Sequence, residues 1–374
     1  MANASSPSCD PAAHGQLLQA INRLTLAVET PTETNMRILY QPVQNACIRM
    51  AIGMGLPHAV VARDGVSVTA AELGEELKAD PVLIARVMRV LTAAGLCKED
   101  GPNQYSATPV TRSLAGPAFT GGSRYIFDLF FPTAAQLPEY LLQTNFENPQ
   151  GKSAFEFTYQ TGLWEHLGEN PDLQRDCVAY MRGRRAGQLR WLDIYPVEAE
   201  LAGKTADDSV LLVDIGGNQG HDLELFKERY PKVPGRLILQ DLPEAIERIS
   251  PPLEGIEVIP YDFFTPQPIE SAQLYFFRGI CHDWSDEQCQ KFLSNTVRAM
   301  NKNSRLLVNE FVLPNTGAGQ LQASLDIMMM TLVSGLERTE MQWQSLLESV
   351  GLEIVKIWSI MPEIEAVIET RLKE

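Results

Sequence analysis

Apolar residues change rhythm once along this chain. Between residues 16 and 62 they recur at helical spacing, as in Leu17, Leu18, Ile21 and Leu24 and again in Ile48, Ala51 and Ile52. That spacing lines one face of a helix. From about residue 208 short continuous runs take over: Val210–Ile215, Arg236–Gln240, Ile256–Pro260, Gln273–Phe277 and Arg305–Leu313, with helical stretches between them. Strands buried on both faces read this way, so the pattern predicts a parallel, doubly wound Rossmann-like α/β sheet. Two further runs, Leu352–Ile360 and Ile364–Glu369, flank Met361-Pro362-Glu363 and predict an antiparallel hairpin that closes one sheet edge.

The N-terminal part is expected to be mainly helical. Residues 1–15 are small and polar and are expected to form a disordered tail. Thr69 with Glu72 three residues on is a capping box. Asp80 followed by Pro81 starts a second helix, whose apolar face is assigned to Leu83, Ile84, Val87 and Leu91 and which stops at Gly95. Asp100-Gly101-Pro102-Asn103 then turns between two short strands. Helix, helix and hairpin form a winged-helix pattern over residues 16–118. Residues 119–205 read as a helical linker and substrate-pocket region rich in aromatics, and 206–374 as the sheet domain.

Charge narrows the function. The 374 residues carry a formal net charge of −16. An acidic surface repels phosphate backbones and anionic lipid, so the winged-helix pattern points to packing or dimerisation rather than to DNA, and no nucleic-acid or membrane partner is expected. A sensor that binds DNA stays open as a third reading and predicts salt-dependent binding. The six cysteines contain no CxxC pair and fit reduced thiols in the cytoplasm. No apolar run approaches the ~18 residues of a membrane helix.

The chemistry gathers at the ends of the predicted strands, where open parallel sheets bind ligands. The first strand runs through Asp214 into Gly216-Gly217-Asn218-Gln219-Gly220. These glycines allow close backbone approach, but their spacing is not that of a pyrophosphate loop, and Asp214 suits a cationic ligand such as S-adenosylmethionine. Asp241 ends the second strand, where a carboxylate accepts from ribose hydroxyls; Asp262 beside Phe263 follows the third, placed for an adenine. Each acid alone reads equally as a cap of the next turn. His282, in His282-Asp283-Trp284-Ser285-Asp286, follows the fourth strand and is a candidate base for a hydroxyl proton. Sequence spacing places no carboxylates for a metal beside it. Glu310, in an apolar strand, needs a partner and would orient His282. Glu337 reads either the same way or as an acid at a helix start.

His282 to Asp286, Asp241-Leu242-Pro243, the glycine loop and Glu337-Arg338-Thr339 together resemble the plant and fungal small-molecule O-methyltransferases of the caffeate/hydroxyindole type, over residues 35–374. The resemblance implies a class I methyltransferase fold and a homodimer formed through the N-terminal domain. It implies S-adenosyl-L-methionine held at Gly216, Asp241, Asp262, Phe263 and Arg278. It makes His282 the general base flanked by Glu310 and Glu337, with no metal. Met181 falls near a position that walls the acceptor pocket, and Phe127, Phe131 and Met328 are assigned to the same wall. The expected activity is methylation of a small aromatic or polyketide-type hydroxyl in fungal secondary metabolism. The alternative is a pericyclase that uses the same cofactor without spending its methyl group.

Overall fold

The computed structural model describes residues 11–185, 189–201, 208–361 and 364–373. They form two compact units, one made of residues 16–146 and 155–187, the other of 147–154 and 188–374 together with the first fifteen residues. Residues 119–205 are therefore not a separate block: most of their helices belong with the N-terminal ones. Residues 1–10 of the expected tail lie outside the described residues, as do Pro362 and Glu363 of the hairpin turn. Residues 11–15 are helical instead, because Pro11 opens helix α1 (Pro11–Val28) at a position proline favours and alanines follow. Helices α2 (Pro31–Leu39) and α3 (Gln41–Met54) come next.

Local rules shape the N-terminal unit. The Thr69 side chain accepts from the Glu72 N–H at 3.2 Å while Glu72 returns a bond to the Thr69 N–H at 2.7 Å, which closes the predicted box. Asp80 accepts from the Val82 N–H at 2.7 Å ahead of the helix Pro81–Ala93. The buried stripe of that helix is Ile84, Val87, Met88 and Leu91; Leu83 lies off it and is 43% exposed. At about 100° per residue it lies roughly 40° beyond Val87, at the margin of the stripe, on the side that stays open to solvent. Strands β1 (Val68–Thr69), β2 (Cys97–Gly101) and β3 (Gln104–Ala107) form an antiparallel sheet in the order β1-β3-β2. Further on, a π-helical stretch at Tyr125–Phe130 continues the helix Pro117–Arg124 into Phe131–Gln143, and Arg49 holds it by a bidentate pair with Asp128.

The second unit is built on a seven-stranded sheet of β4 (Val210–Ile215), β5 (Arg236–Asp241), β6 (Glu257–Pro260), β7 (Leu274–Arg278), β8 (Arg305–Glu310), β9 (Leu352–Trp358) and β10 (Ala366–Leu372). Their order is β6-β5-β4-β7-β8-β10-β9. The first five are parallel, and β10 pairs antiparallel with both β8 and β9. The hairpin thus closes the edge with its second strand inside and its first outside. The run read as Arg305–Leu313 leaves the sheet at Glu310, after which Leu313 bridges to Thr339 alone.

Period-two alternation sorts the strand residues between two cores. Val213, Ile215, Tyr275, Phe277 and Val308 face Phe292, Leu293 and Trp343. Leu212, Leu239, Leu274, Phe276 and Leu307 face Trp191, Tyr195 and Phe226. Each buried Phe or Leu contributes about 1.5–3 kcal/mol, so both faces hold the sheet rigid beneath the loops at its carboxyl edge. No helix among the described residues is long and apolar enough to cross a membrane.

Candidate active site

The loop after β4 is shaped by backbone that few residues tolerate. Gly216 and Gly220 sit at φ +74° and +76°, and Asn218 at +55°, a left-handed setting that asparagine accepts better than most side chains. A Cβ on Gly217 would stand 2.3 Å from the Asp214 carboxylate and 2.5 Å from Leu239, so this bend admits only glycine. Asp241 at the tip of β5 steadies the loop. One of its oxygens accepts from the Asn218 N–H at 2.7 Å and the other from the Leu242 N–H at 2.7 Å. Each carboxylate oxygen has further acceptor capacity beyond one such bond. Burial nevertheless pushes Asp241 above the usual carboxylate range.

Asp214 is wholly buried, and its Oδ2 has no hydrogen-bond partner among the described residues. Burial, and next the negative charge of Asp222, push it well above the usual carboxylate range. A buried acid of this kind beside a glycine-rich bend fits a cationic ligand, and it would be relieved by one. Asp262 accepts from the Phe264 N–H at 3.0 Å, the capping bond its sequence allows. The Phe263 ring is half-buried and packs at right angles to Trp284, with ring centres 6.0 Å apart. Arg278 behaves differently from its neighbours. Its guanidinium is held by Asp222 at 2.7 and 2.9 Å and by Glu365 at 3.2 Å, which ties β7 to the helix that follows the glycine loop. Burial opposes its charge, but these two acids outweigh that and hold it cationic.

His282 stands on the short turn Cys281–Asp283 beyond β7. Its Nδ1 lies 2.8 Å from Glu337 Oε1 and 3.8 Å from Glu310 Oε2, and its Nε2 lies 3.5 Å from Asp283 Oδ1. Both ring nitrogens therefore face carboxylates. Burial disfavours the imidazolium, yet Glu310, Asp283 and Glu337 outweigh it and push His282 up to about 10. For the carboxyl of Glu310 burial acts the other way and raises it to about 7 against the pull of His282.

The two glutamates divide the work. Glu310 accepts from the Ile280 and Cys281 N–H groups, both at 2.9 Å, and so holds the backbone of the turn. Glu337 makes the short bond to the ring. It is no helix-start acid: it is buried, its N–H donates to Asp326 at 2.9 Å, and the helix behind it is capped by Thr339. Folding also overturns the expectation that no carboxylates stand beside His282 for a metal, because Glu310 and Glu337 arrive from distant segments and the three donor atoms lie within 4.8 Å of one another. The bonds just described already occupy Glu310 Oε1 and the His282–Glu337 pair, which suits this cluster to holding a proton.

Three participants carried no sequence assignment. Asp283 faces Nε2. Arg338 is fully buried and donates at 2.8 Å to Cys281 O, Trp284 O and Asp286, which clamps the turn from behind. Gly335 lies so close that a Cβ there would stand 2.1 Å from the His282 carbonyl oxygen. Arg338 stood inside a quoted motif, and its charge in an otherwise buried stretch was the available signal. The expected acceptor residues divide between the units. Phe127 and Phe131 line an apolar cavity of about 360 Å³ in the N-terminal unit with Ile48, Phe119, Ile126 and Tyr180. Met181 is half-buried on the helix Pro171–Arg185 of that unit, and Met328 is buried in the sheet unit.

The chain as a whole is similar to known proteins. Residues 140–353 match the O-methyltransferase domain and residues 36–116 the O-methyltransferase dimerisation domain. The methyltransferase cfoC of Aspergillus candidus is 35% identical over 95% of this chain and 90% of its own length. The demethylsterigmatocystin 6-O-methyltransferase of Aspergillus parasiticus is 34% identical over 91% and 88%. Among solved structures, LepI in complex with S-adenosylmethionine superposes with a TM-score of 0.89 at 29% identity, over 98% of this chain and 95% of that one. A structure described as a pericyclic reaction enzyme reaches 0.88 at 29%, over 98% and 96%.

Proposed function

The chain belongs to the O-methyltransferase family, and from that premise we propose that it methylates a hydroxyl of a small aromatic or polyketide-type secondary metabolite, with His282 as general base. The observation that carries this reading is His282 at the carboxyl edge of the sheet, its Nδ1 fixed by Glu337 at 2.8 Å. Its cofactor is S-adenosyl-L-methionine, whose sulfonium supplies an electrophilic methyl group. Asp241 would take the ribose hydroxyls, Phe263 the adenine face, the Gly216–Gly220 bend the backbone approach, and buried Asp214 the positive end. Arg278 acts at one remove, by locking the helix behind the loop to β7.

His282 would accept the hydroxyl proton at Nε2, since Nδ1 is engaged. Glu337 and Glu310 stabilise the imidazolium that results, and Arg338 holds the turn still. A base that titrates near 10 is matched to a phenol of pKa ~10. The test is incubation with labelled cofactor and a phenolic panel: His282→Ala should lose turnover and keep cofactor affinity, and an equally active variant would remove His282 from the mechanism.

Two observations favour a second reading. A similar structure is described as a pericyclic reaction enzyme, and an imidazole surrounded by three carboxylates rests protonated, as a donor to a polarised transition state would. Product that accumulates without S-adenosylhomocysteine would establish this reading and end the first.

A further inference from the structure

One carboxylate stands alone on the helix Gln320–Val333. Of its 14 residues only Asp326 is charged. Aspartate is disfavoured inside a helix because its side chain competes for backbone donors. The donor it has found lies outside the helix: Asp326 Oδ1 accepts from the Glu337 N–H at 2.9 Å. Asp326 is half-buried, and burial raises it above the usual carboxylate range although the Glu337 N–H pulls the other way. The charged groups that face it are Glu337 and Arg338.

That bond matters because little else holds Glu337. Its Oε1 makes the short bond to the His282 ring, but its Oε2 is buried and has no hydrogen-bond partner among the described residues. A carboxylate held by one bond is aimed by its backbone. Here the backbone is stitched between two walls. The Gly335 N–H donates to Met329 O of the helix at 3.2 Å, the Leu336 N–H to His282 O at 2.8 Å, and the Glu337 N–H to Asp326. We infer that Asp326 is a positioning residue for the proton acceptor: it fixes the Glu337 backbone and so keeps the Glu337 carboxylate on Nδ1 of His282. The inference deepens the proposed role of His282 as base and rests on it. Glu310 and Asp283 face the ring as well, so loss of Asp326 weakens the support of the imidazolium without abolishing it.

The test follows the His282 ring itself, by nuclear magnetic resonance of the full-length chain labelled at its five histidines, with His282→Ala to identify the signal. Asp326→Ala removes the acceptor and suits a helix. It should lower the titration of His282 by about one pH unit, the scale of one carboxylate contact. Turnover should fall about tenfold with cofactor affinity unchanged. Asp326→Asn keeps an oxygen for the Glu337 N–H and should restore most of both. Asp326→Ala combined with Glu337→Gln should shift the titration no further than Glu337→Gln alone, because both act through one contact. Asp326→Leu, which also lacks the acceptor, serves the same comparisons should the alanine variant not fold. A titration left in place while the melting temperature falls would make the role merely structural and overturn the inference. So would an asparagine variant shifted as far as the alanine one, or additive shifts in the double variant. The titration needs no turnover, so an active His282→Ala protein would end the reading of His282 as base separately, and with it the catalytic meaning of Asp326.

Discussion

The glycine loop and the His282 cluster sit on neighbouring strand tips, and both gather acids, but they balance charge in opposite ways. Around the loop, Asp214 is buried with an unpartnered oxygen, and the nearest guanidinium, that of Arg278, is committed to Asp222 and Glu365. Around His282 the acids enclose their own cation. In the proposed mechanism one region would be completed by a ligand that brings positive charge; the other, complete beforehand, would release or take a proton. The proposed methyl transfer would need both kinds of preorganisation, and the two clusters stand on separate strands.

The largest effect that would break this contrast is at the base. His282→Ala should lower turnover about 10²–10⁴-fold with cofactor affinity within about twofold, measured by calorimetry beside steady-state rates; a joint loss of both would merge the two regions. Next is Asp241→Ala. It should weaken cofactor binding about tenfold to a hundredfold, the scale of hydrogen bonds to a charged group, and leave the rate at saturation within about threefold.

A smaller effect concerns protonation. The base must be neutral to act, and the surrounding carboxylates place its titration at about 10. Turnover of a phenolic acceptor should therefore rise with pH from 7 to 9, and Glu337→Gln should shift that rise to lower pH because it removes one charge that favours the imidazolium. A flat profile in both proteins would show that His282 does not carry the proton. The smallest expected effect is that of chelation: dialysis against EDTA should leave activity unchanged, and a loss restored by a divalent ion would assign the His282, Glu310 and Glu337 cluster to a metal.

Legibility in the sequence followed the range of the interaction. Capping at Thr69 and Asp80, the five parallel strands and the strand-tip positions of Asp241 and His282 depend on neighbours in the chain, and the structure has them where the pattern placed them. Glu310 was picked out because an acid in an apolar strand needs partners, yet which partners was not readable: it bonds the backbone of Ile280 and Cys281, and Glu337 takes the ring. Arg338 went unassigned because its meaning lies in contacts with a distant segment, whereas Asp283 adjoins His282 in the chain but faces its Nε2 only through the conformation of the Cys281–Asp283 turn. The order of β9 and β10 was hidden for the same reason, since both orders give the same alternation of apolar residues.

The tight seat of Gly335 against the His282 carbonyl has a bearing on how such an enzyme diversifies. Not even a methyl fits between the two loops, so His282 cannot be repositioned from that side without dismantling the joint. A substitution that reshapes the proposed acceptor pocket would therefore have to fall away from this joint.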